Sequence, residues 1–213
     1  MKNKSEDYDN PWKEILAKRF ELLMHFFFPV AAAEINWKRK PEFLDKEFRA
    51  VTKHARTGKR NADALIKVFL KNGSERWVLI HIEVQAQPDP NFAERMYIYN
   101  YRIFDLYKKR VASFAILADE DEDWRPTSFE YELWGTRAGL HFATAKLTDF
   151  RNDVDALLKH ENPFALVVLA HLKTQDTRNN EGERFRWKKT LFRNLLRFGM
   201  AKVEIREVLL TRA

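Results

Sequence analysis

The sequence predicts an α/β fold, a mixed sheet flanked by helices and followed by a helical C-terminal region. Three observations predict it. Between residues 61 and 86 the apolar spacing is that of two strands, joined by a turn with Asn72 and Gly73 at its centre. A helix-period stretch then leads into "VASFAILA" (111–118), a continuous apolar run expected of a strand buried on both faces. From about residue 151 onward the periods are helical throughout. The boundaries read as an α/β core over 1–150 and a helical region over 151–213.

The elements follow in order. Residues 10–28 alternate apolar and charged positions at helical spacing, with Asn10 as N-cap, Pro11 at the first helical position and Pro29 interrupting. A second helix is predicted over 41–57, ending at Gly58. Strands are predicted over 61–70 and 76–86, and "QPDP" (87–90) breaks the second. Phe92, Met96, Tyr99 and Ile103 recur three or four apart and predict a helix over 91–108. After the buried strand comes an acidic loop, Asp119 to Asp123, and then a strand or hairpin over 129–147 with Gly135 and Gly139 near its turns. Helices are predicted over 152–160, 163–173 and 183–210, with 173–183 as the clearest linker. The last helix is still periodic at Ala213, so a natural end and a shortened longer chain both stay open.

Composition excludes several classes. The 213 residues include 17 Phe and 6 Trp, enough bulk for a real core. With 32% charged residues and no apolar run near the roughly 20 residues a spanning helix needs, a membrane protein is not expected. The N-terminus lacks the apolar centre of a signal peptide, and a cytoplasmic location is expected. There is no cysteine, which rules out disulfides, cysteine nucleophiles and thiolate zinc sites. The net charge of +7 is concentrated: residues 38–60 carry nine Lys/Arg against three Asp/Glu, and residues 178–213 carry ten against four. Such a distribution suits a phosphate-bearing partner or, equally, solvated helix faces.

One strand carries the chemistry. On residues 76–86, Val78, Ile80, Ile82 and Val84 share an apolar face, while His81, Glu83 and Gln85 share the other. If the hairpin pairs antiparallel, Asp63 on the first strand arrives beside Glu83 and Gln85. Two carboxylates in a partly buried site repel each other unless a cation is present. Hard oxygen ligands suit Mg²⁺ or Mn²⁺, which polarise a phosphate and lower the pKa of a bound water. The alternative is an ion pair between Glu83 and a nearby Arg or Lys, with Gln85 hydrogen-bonded at a strand end. Lys67 shares a strand face with Asp63 and is a candidate extra charge or a surface lysine. His81 is a candidate ligand or base, or a satisfied core histidine. His25, His54, His141, His160 and His171 show no ligand spacing, and no P-loop, G-x-S-x-G or G-x-G-x-x-G occurs.

Asp63, a turn and "IEVQ" (82–85) read as D…E-x-Q. This resembles the PD-(D/E)XK nuclease superfamily, in the branch where Gln replaces the usual Lys. More narrowly, "FLDKEFRAV" (43–51), "DALIKVFLKNG…WVLIHIEVQAQ" (63–87) and "FAERMYIYNYRIFDLY" (92–107) resemble the Rpn-type recombination-promoting nucleases, a group also described as transposases. With 111–118 the likeness covers roughly residues 10–150. It implies a restriction-endonuclease-like α-β-β-β-α-β core, DNA as substrate, and Mg²⁺ or Mn²⁺ as cofactor. By that resemblance Asp63 and Glu83 are the metal ligands and Gln85 stands where the superfamily has its lysine. Glu47, which is not separated from its neighbour Asp45, is the additional acidic residue. Arg95 and Tyr99 face the site or the phosphate. Lys supplies charge where an amide supplies only a dipole, so the Gln departs from the pattern in a way that bears on rate; Lys67 is a candidate source of the missing charge.

The helix "WKKTLFRNLLRFGMAK" (187–202) is basic and amphipathic. Lys188, Lys189, Arg193 and Arg197 fall near one of its faces, a candidate DNA-backbone surface, an oligomerisation surface or a solvated face. The expected activity is Mg²⁺-dependent DNA phosphodiester hydrolysis. The rivals are a catalytically weak or inactive DNA-binding module and an interaction domain that forms a homodimer.

Overall fold

A computed structural model describes residues 11–44, 46, 48, 62–72 and 77–209; for Asp63, among others, it describes the backbone alone. The architecture is mixed α/β, with a five-stranded mixed sheet flanked by helices.

Helix α1 (Pro11–Phe27) is kinked at Arg19, and α2 (Pro29–Glu34) begins on Pro29, which has no N–H to lose at a helix start. Strand β1 (Glu42–Phe43) pairs antiparallel with β2 (Ala62–Phe69), which pairs antiparallel with β3 (Trp77–Gln85). Helix α3 (Phe92–Tyr107) crosses over to β4 (Val111–Leu117), parallel to β3. A separate hairpin, β5 (Ser128–Leu133) and β6 (Thr136–His141), precedes β7 (Ala143–Lys146), which returns to the sheet parallel to β4. The sheet order is β1-β2-β3-β4-β7. A short 3₁₀ turn leads into α4 (Val154–Lys159), α5 (Phe164–Asp176), α6 (Glu181–Arg197) and α7 (Lys202–Leu209).

The sheet has two unlike faces. Val84, Ile82 and Ile80 of β3, with Ala64, Ile66 and Val68 of β2, pack in one large apolar cluster with α1, α5, α6 and α7. Helix α5 is buried nearly all round, from Phe164 to Leu172, so the C-terminal helices share the core of the sheet. The other face lies under α3 and splits into two smaller clusters. Leu65, Leu79, Phe48, Tyr99 and Ile103 form one; Phe92, Met96, Ala115, Leu117 and Phe142 form the other. Buried polar residues of β3 and β4 interrupt the apolar surface between them. Strand β4 is buried from Ser113 to Leu117, as a central strand covered on both faces must be.

Several sequence expectations are corrected. Residues 42 and 43, expected within a helix over 41–57, are strand, because Glu42 and Phe43 find register partners in Lys67 and Ile66; Lys46 and Phe48 are helical, and residues 49–61 lie outside the described residues, as does Asn10. The region 129–147 contains both a hairpin and a strand of the main sheet. The hairpin turns on Trp134 and Gly135, both with positive φ, as a two-residue loop of this kind demands. The expected linker 173–183 is mostly helix: Lys173 pairs with Asp176 at 3.0 Å and Thr174 bonds back to the Ala170 carbonyl. The single helix expected over 183–210 is two, parted at Gly199, whose φ of +68° lies in the left-handed region.

At the sheet's edge Lys146 of β7 donates to Asp119, just beyond β4, at 2.7 Å, with both side chains almost fully buried. Lys146 also donates to the Trp124 carbonyl at 3.1 Å. Removing one partner strands a buried charge, so Asp119→Ala is expected to cost about 3–5 kcal/mol of unfolding free energy, whereas the double change Asp119→Leu with Lys146→Met recovers most of it. Urea unfolding of the two variants checks this.

Candidate functional site

The antiparallel register makes Asp63 of β2 and Glu83 of β3 direct partners. Register partners in an antiparallel pair share a face of the sheet, here the face crossed by α3. One step deeper on that face, Leu65 is opposite His81; Gln85 lies one step beyond Glu83, at the C-terminal end of β3. The Asp63 side chain and all of Glu47 lie outside the described residues.

Glu83 is fully buried. Its Oε2 accepts from Arg95, the first-turn arginine of α3, whose Nη2 lies at 3.2 Å and Nε at 3.4 Å. Arg95 Nη2 also donates to Gln85 Oε1 at 3.1 Å, and its Nη1 donates to Asp89. The guanidinium thus closes a clamp over the end of β3, with its carbon 5.2 Å from the centre of the Phe92 ring. Burial works against the charge on Arg95, but Glu83 and Asp89 outweigh it and raise its pKa above the usual value. Burial likewise works to raise Asp89; the bonds from Arg95 and from the Asn91 backbone N–H prevail and hold its carboxyl below the ordinary range. Gln85 is fixed at both ends, since its Nε2 donates to the Gln87 carbonyl at 2.6 Å. The ion-pair alternative for Glu83 is therefore realised, with Arg95 as the partner.

The second oxygen of Glu83 is different. Oε1 is buried with no hydrogen-bond partner among the described residues, and so is Nε2 of His81, 3.7 Å away. The His81 ring is buried between Phe48 and Tyr99, at centroid distances of 5.3 and 5.7 Å. Its Nδ1 is 3.4 Å from Ser113 Oγ, which accepts from Asn100 Nδ2 at 3.0 Å.

Other candidates are placed elsewhere. Lys67 sits four residues along β2 from Asp63, at the register position of Leu79, and its Nζ is 3.2 Å from Glu42. The antiparallel pairing of β1 draws it to that edge strand and away from Glu83. Tyr99 is buried against Phe48 and against His81, the neighbour of Glu83 on the same face of β3. Lys188, Lys189 and Arg193 lie on α6, whose Leu191 and Leu195 belong to the cluster on the opposite face of the sheet from Glu83. Lys189, Arg193 and Arg197 are exposed there, and Lys188 is half-buried beside Trp187. Asp89 joins the site unannounced: "QPDP" reads as a strand breaker, and nothing in its spacing marks the carboxylate that grips Arg95.

Among the described residues no three His, Asp or Glu side chains are grouped to hold a metal. What fits a divalent ion is the donor chemistry: an unpartnered, buried carboxylate oxygen on Glu83, with a second carboxylate residue, Asp63, at the facing register position. Oε2 is already neutralised by Arg95, whereas Oε1 makes no hydrogen bond among the described residues and has His81 Nε2 at 3.7 Å.

Just past β4, the Ala118 carbonyl accepts from Gln175 at 3.1 Å and lies 2.7 Å from His171 Nε2, while Ala118 N–H donates to the Gln85 carbonyl at 2.7 Å. Burial lowers the His171 pKa from its ordinary 6.5, so the folded chain refuses a proton that the unfolded chain accepts. Stability is therefore expected to fall as pH drops below about 6.5, and less steeply in His171→Gln, as thermal midpoints measured across that range will show. Arg95→Met leaves Glu83 buried without its cation and is expected to cost about 3–5 kcal/mol by chemical unfolding.

Comparison with known protein families, with characterised proteins and with solved structures finds nothing that matches this chain.

Proposed function

We propose that the chain is a metal-dependent DNA endonuclease of the PD-(D/E)XK type, akin to the recombination-promoting nucleases, that hydrolyses phosphodiesters at the C-terminal end of β3. The observation that carries this is the register pairing of Asp63 with Glu83, whose Oε1 is buried with no hydrogen-bond partner among the described residues, with Gln85 two residues further on. The order of antiparallel hairpin, crossover helix and parallel strand is one that the resemblance to a restriction-endonuclease-like core implies, and it supports the same assignment. Nothing in the residues points to strand transfer.

Asp63 and Glu83 would hold Mg²⁺ (or Mn²⁺), which supplies Lewis-acid polarisation of the phosphate and a bound water of lowered pKa. Gln85 has both ends of its amide engaged, so its part is to orient Arg95 rather than to accept a proton. Arg95 brings a permanent positive charge to within 3.1 Å of Gln85, the residue that stands where the resemblance expects a lysine. The guanidinium donors are engaged by Glu83, Gln85 and Asp89, so what Arg95 offers a phosphoryl group under attack is nearby positive charge rather than a two-oxygen hydrogen bond. Lys67, held by Glu42, has no part in this chemistry.

A second reading, a DNA-binding module without cleavage, is favoured by one observation: the ion pair with Arg95 already neutralises Glu83. Supercoiled plasmid incubated with the protein and Mg²⁺ or Mn²⁺ separates the two. Nicking by the wild type, lost in EDTA and in Asp63→Ala, is expected. Equal nicking by wild type and Asp63→Ala removes the proposed site. DNA retention without nicking, weakening steeply with salt, establishes the binding module instead.

A further inference from the structure

We propose that His81 is a nitrogen ligand of this centre, so that it selects a first-row transition ion over Mg²⁺. His81 in this role presupposes the metal-holding Glu83 of the preceding section. Its imidazole lies next to Glu83 on the same face of β3, wholly buried, with Nε2 3.7 Å from Glu83 Oε1 and neither atom hydrogen-bonded among the described residues.

Neither neutral tautomer closes this contact with a hydrogen bond; only the doubly protonated ring would make it an ion pair. With the proton on Nδ1, donated to Ser113 Oγ at 3.4 Å, two bare lone pairs face each other across a buried space. With the proton on Nε2, the 3.7 Å separation exceeds a hydrogen bond. A buried polar atom without a partner costs about 1–3 kcal/mol, and here there are two. Donors 3.7 Å apart can both reach one ion at ordinary metal–ligand distances of about 2.0–2.2 Å. The surroundings suit a ligand histidine: Phe48 and Tyr99 hold the ring plane, and Asn100 holds the Ser113 hydroxyl that takes the other ring nitrogen. An imidazole donor favours Co²⁺, Zn²⁺ or Fe²⁺ over Mg²⁺, which takes oxygens.

The test is calorimetric titration of the full chain with Co²⁺ and with Mg²⁺, together with the visible absorption of bound Co²⁺. The wild type is expected to bind Co²⁺ at least about tenfold more tightly than Mg²⁺. His81→Leu is expected to abolish that preference and change the Co²⁺ spectrum, while keeping Mg²⁺ binding. Ser113→Ala, a small change that leaves the imidazole in place, is expected to weaken Co²⁺ about 10–100-fold. If His81→Leu and Ser113→Ala both leave the Co²⁺/Mg²⁺ ratio and the spectrum of the wild type unaltered, His81 is a core residue and the proposal is overturned, while Mg²⁺ binding sensitive to Glu83→Gln keeps the metal centre itself. Absence of binding by either ion to the wild type overturns both.

Discussion

Glu83 carries a charge into a place with no water, and its surroundings are arranged around that fact. An isolated buried carboxylate is one of the most costly groups a protein can hold. Arg95 offsets it from the first turn of α3, and Asp89 and Gln85 in turn hold the guanidinium in place. Helix α3 is thereby fastened to the strand that precedes it by a polar clamp, in addition to the apolar stripe of Phe92, Met96, Tyr99 and Ile103. The compensation is one-sided: among the described residues one oxygen of Glu83 is hydrogen-bonded, while the other has only His81 Nε2 at 3.7 Å. That asymmetry is what the proposed metal centre rests on.

The same clamp explains why the α3 face of the sheet is split. A continuous apolar face would seal the layer, as it does on the side packed by α1 and α5. Instead Leu65 and Leu79 belong to one cluster and Ala115 and Leu117 to another, with His81, Glu83, Gln85 and Ser113 buried alongside. The strongly basic helix α6 belongs to the opposite layer. A polyanion lying along its exposed stripe of Lys189, Arg193 and Arg197 would meet a different side of the sheet from the one that carries Glu83. The charge of α6 that would draw a nucleic acid and the groups proposed to act on it are thus separated by the thickness of the sheet.

What could be read from the sequence is what local geometry dictates. Alternation on β3 separates Val84 from Glu83 with no knowledge of the rest of the chain, and a hairpin leaves little freedom over which residues of β2 and β3 face each other. The long apolar run of β4 reads as a central strand for the same reason. What could not be read depends on distant partners or on loop shape. Residues 42 and 43 follow a helical period yet pair with β2, because a neighbouring strand edge outweighs local propensity. The grip of Asp89 on Arg95 depends on how a Pro-Asp-Pro loop bends. The break at Gly199 is invisible to periodicity because the apolar spacing resumes beyond it; only the left-handed backbone there shows that the helix must end.

The polar side chains that the described contacts link to Glu83, namely His81, Gln85, Asp89 and Arg95, with Ser113 and Asn100 behind His81, come from β3, α3, β4 and the loop after β3, one unbroken run of chain. Closing short segments of backbone forfeits little entropy, and contacts close in sequence form quickly. Assembly of the polar cluster therefore does not wait for the C-terminal helices. The cluster's described polar contacts lie within a single strand–helix–strand unit, so none of them needs a residue of the C-terminal helices.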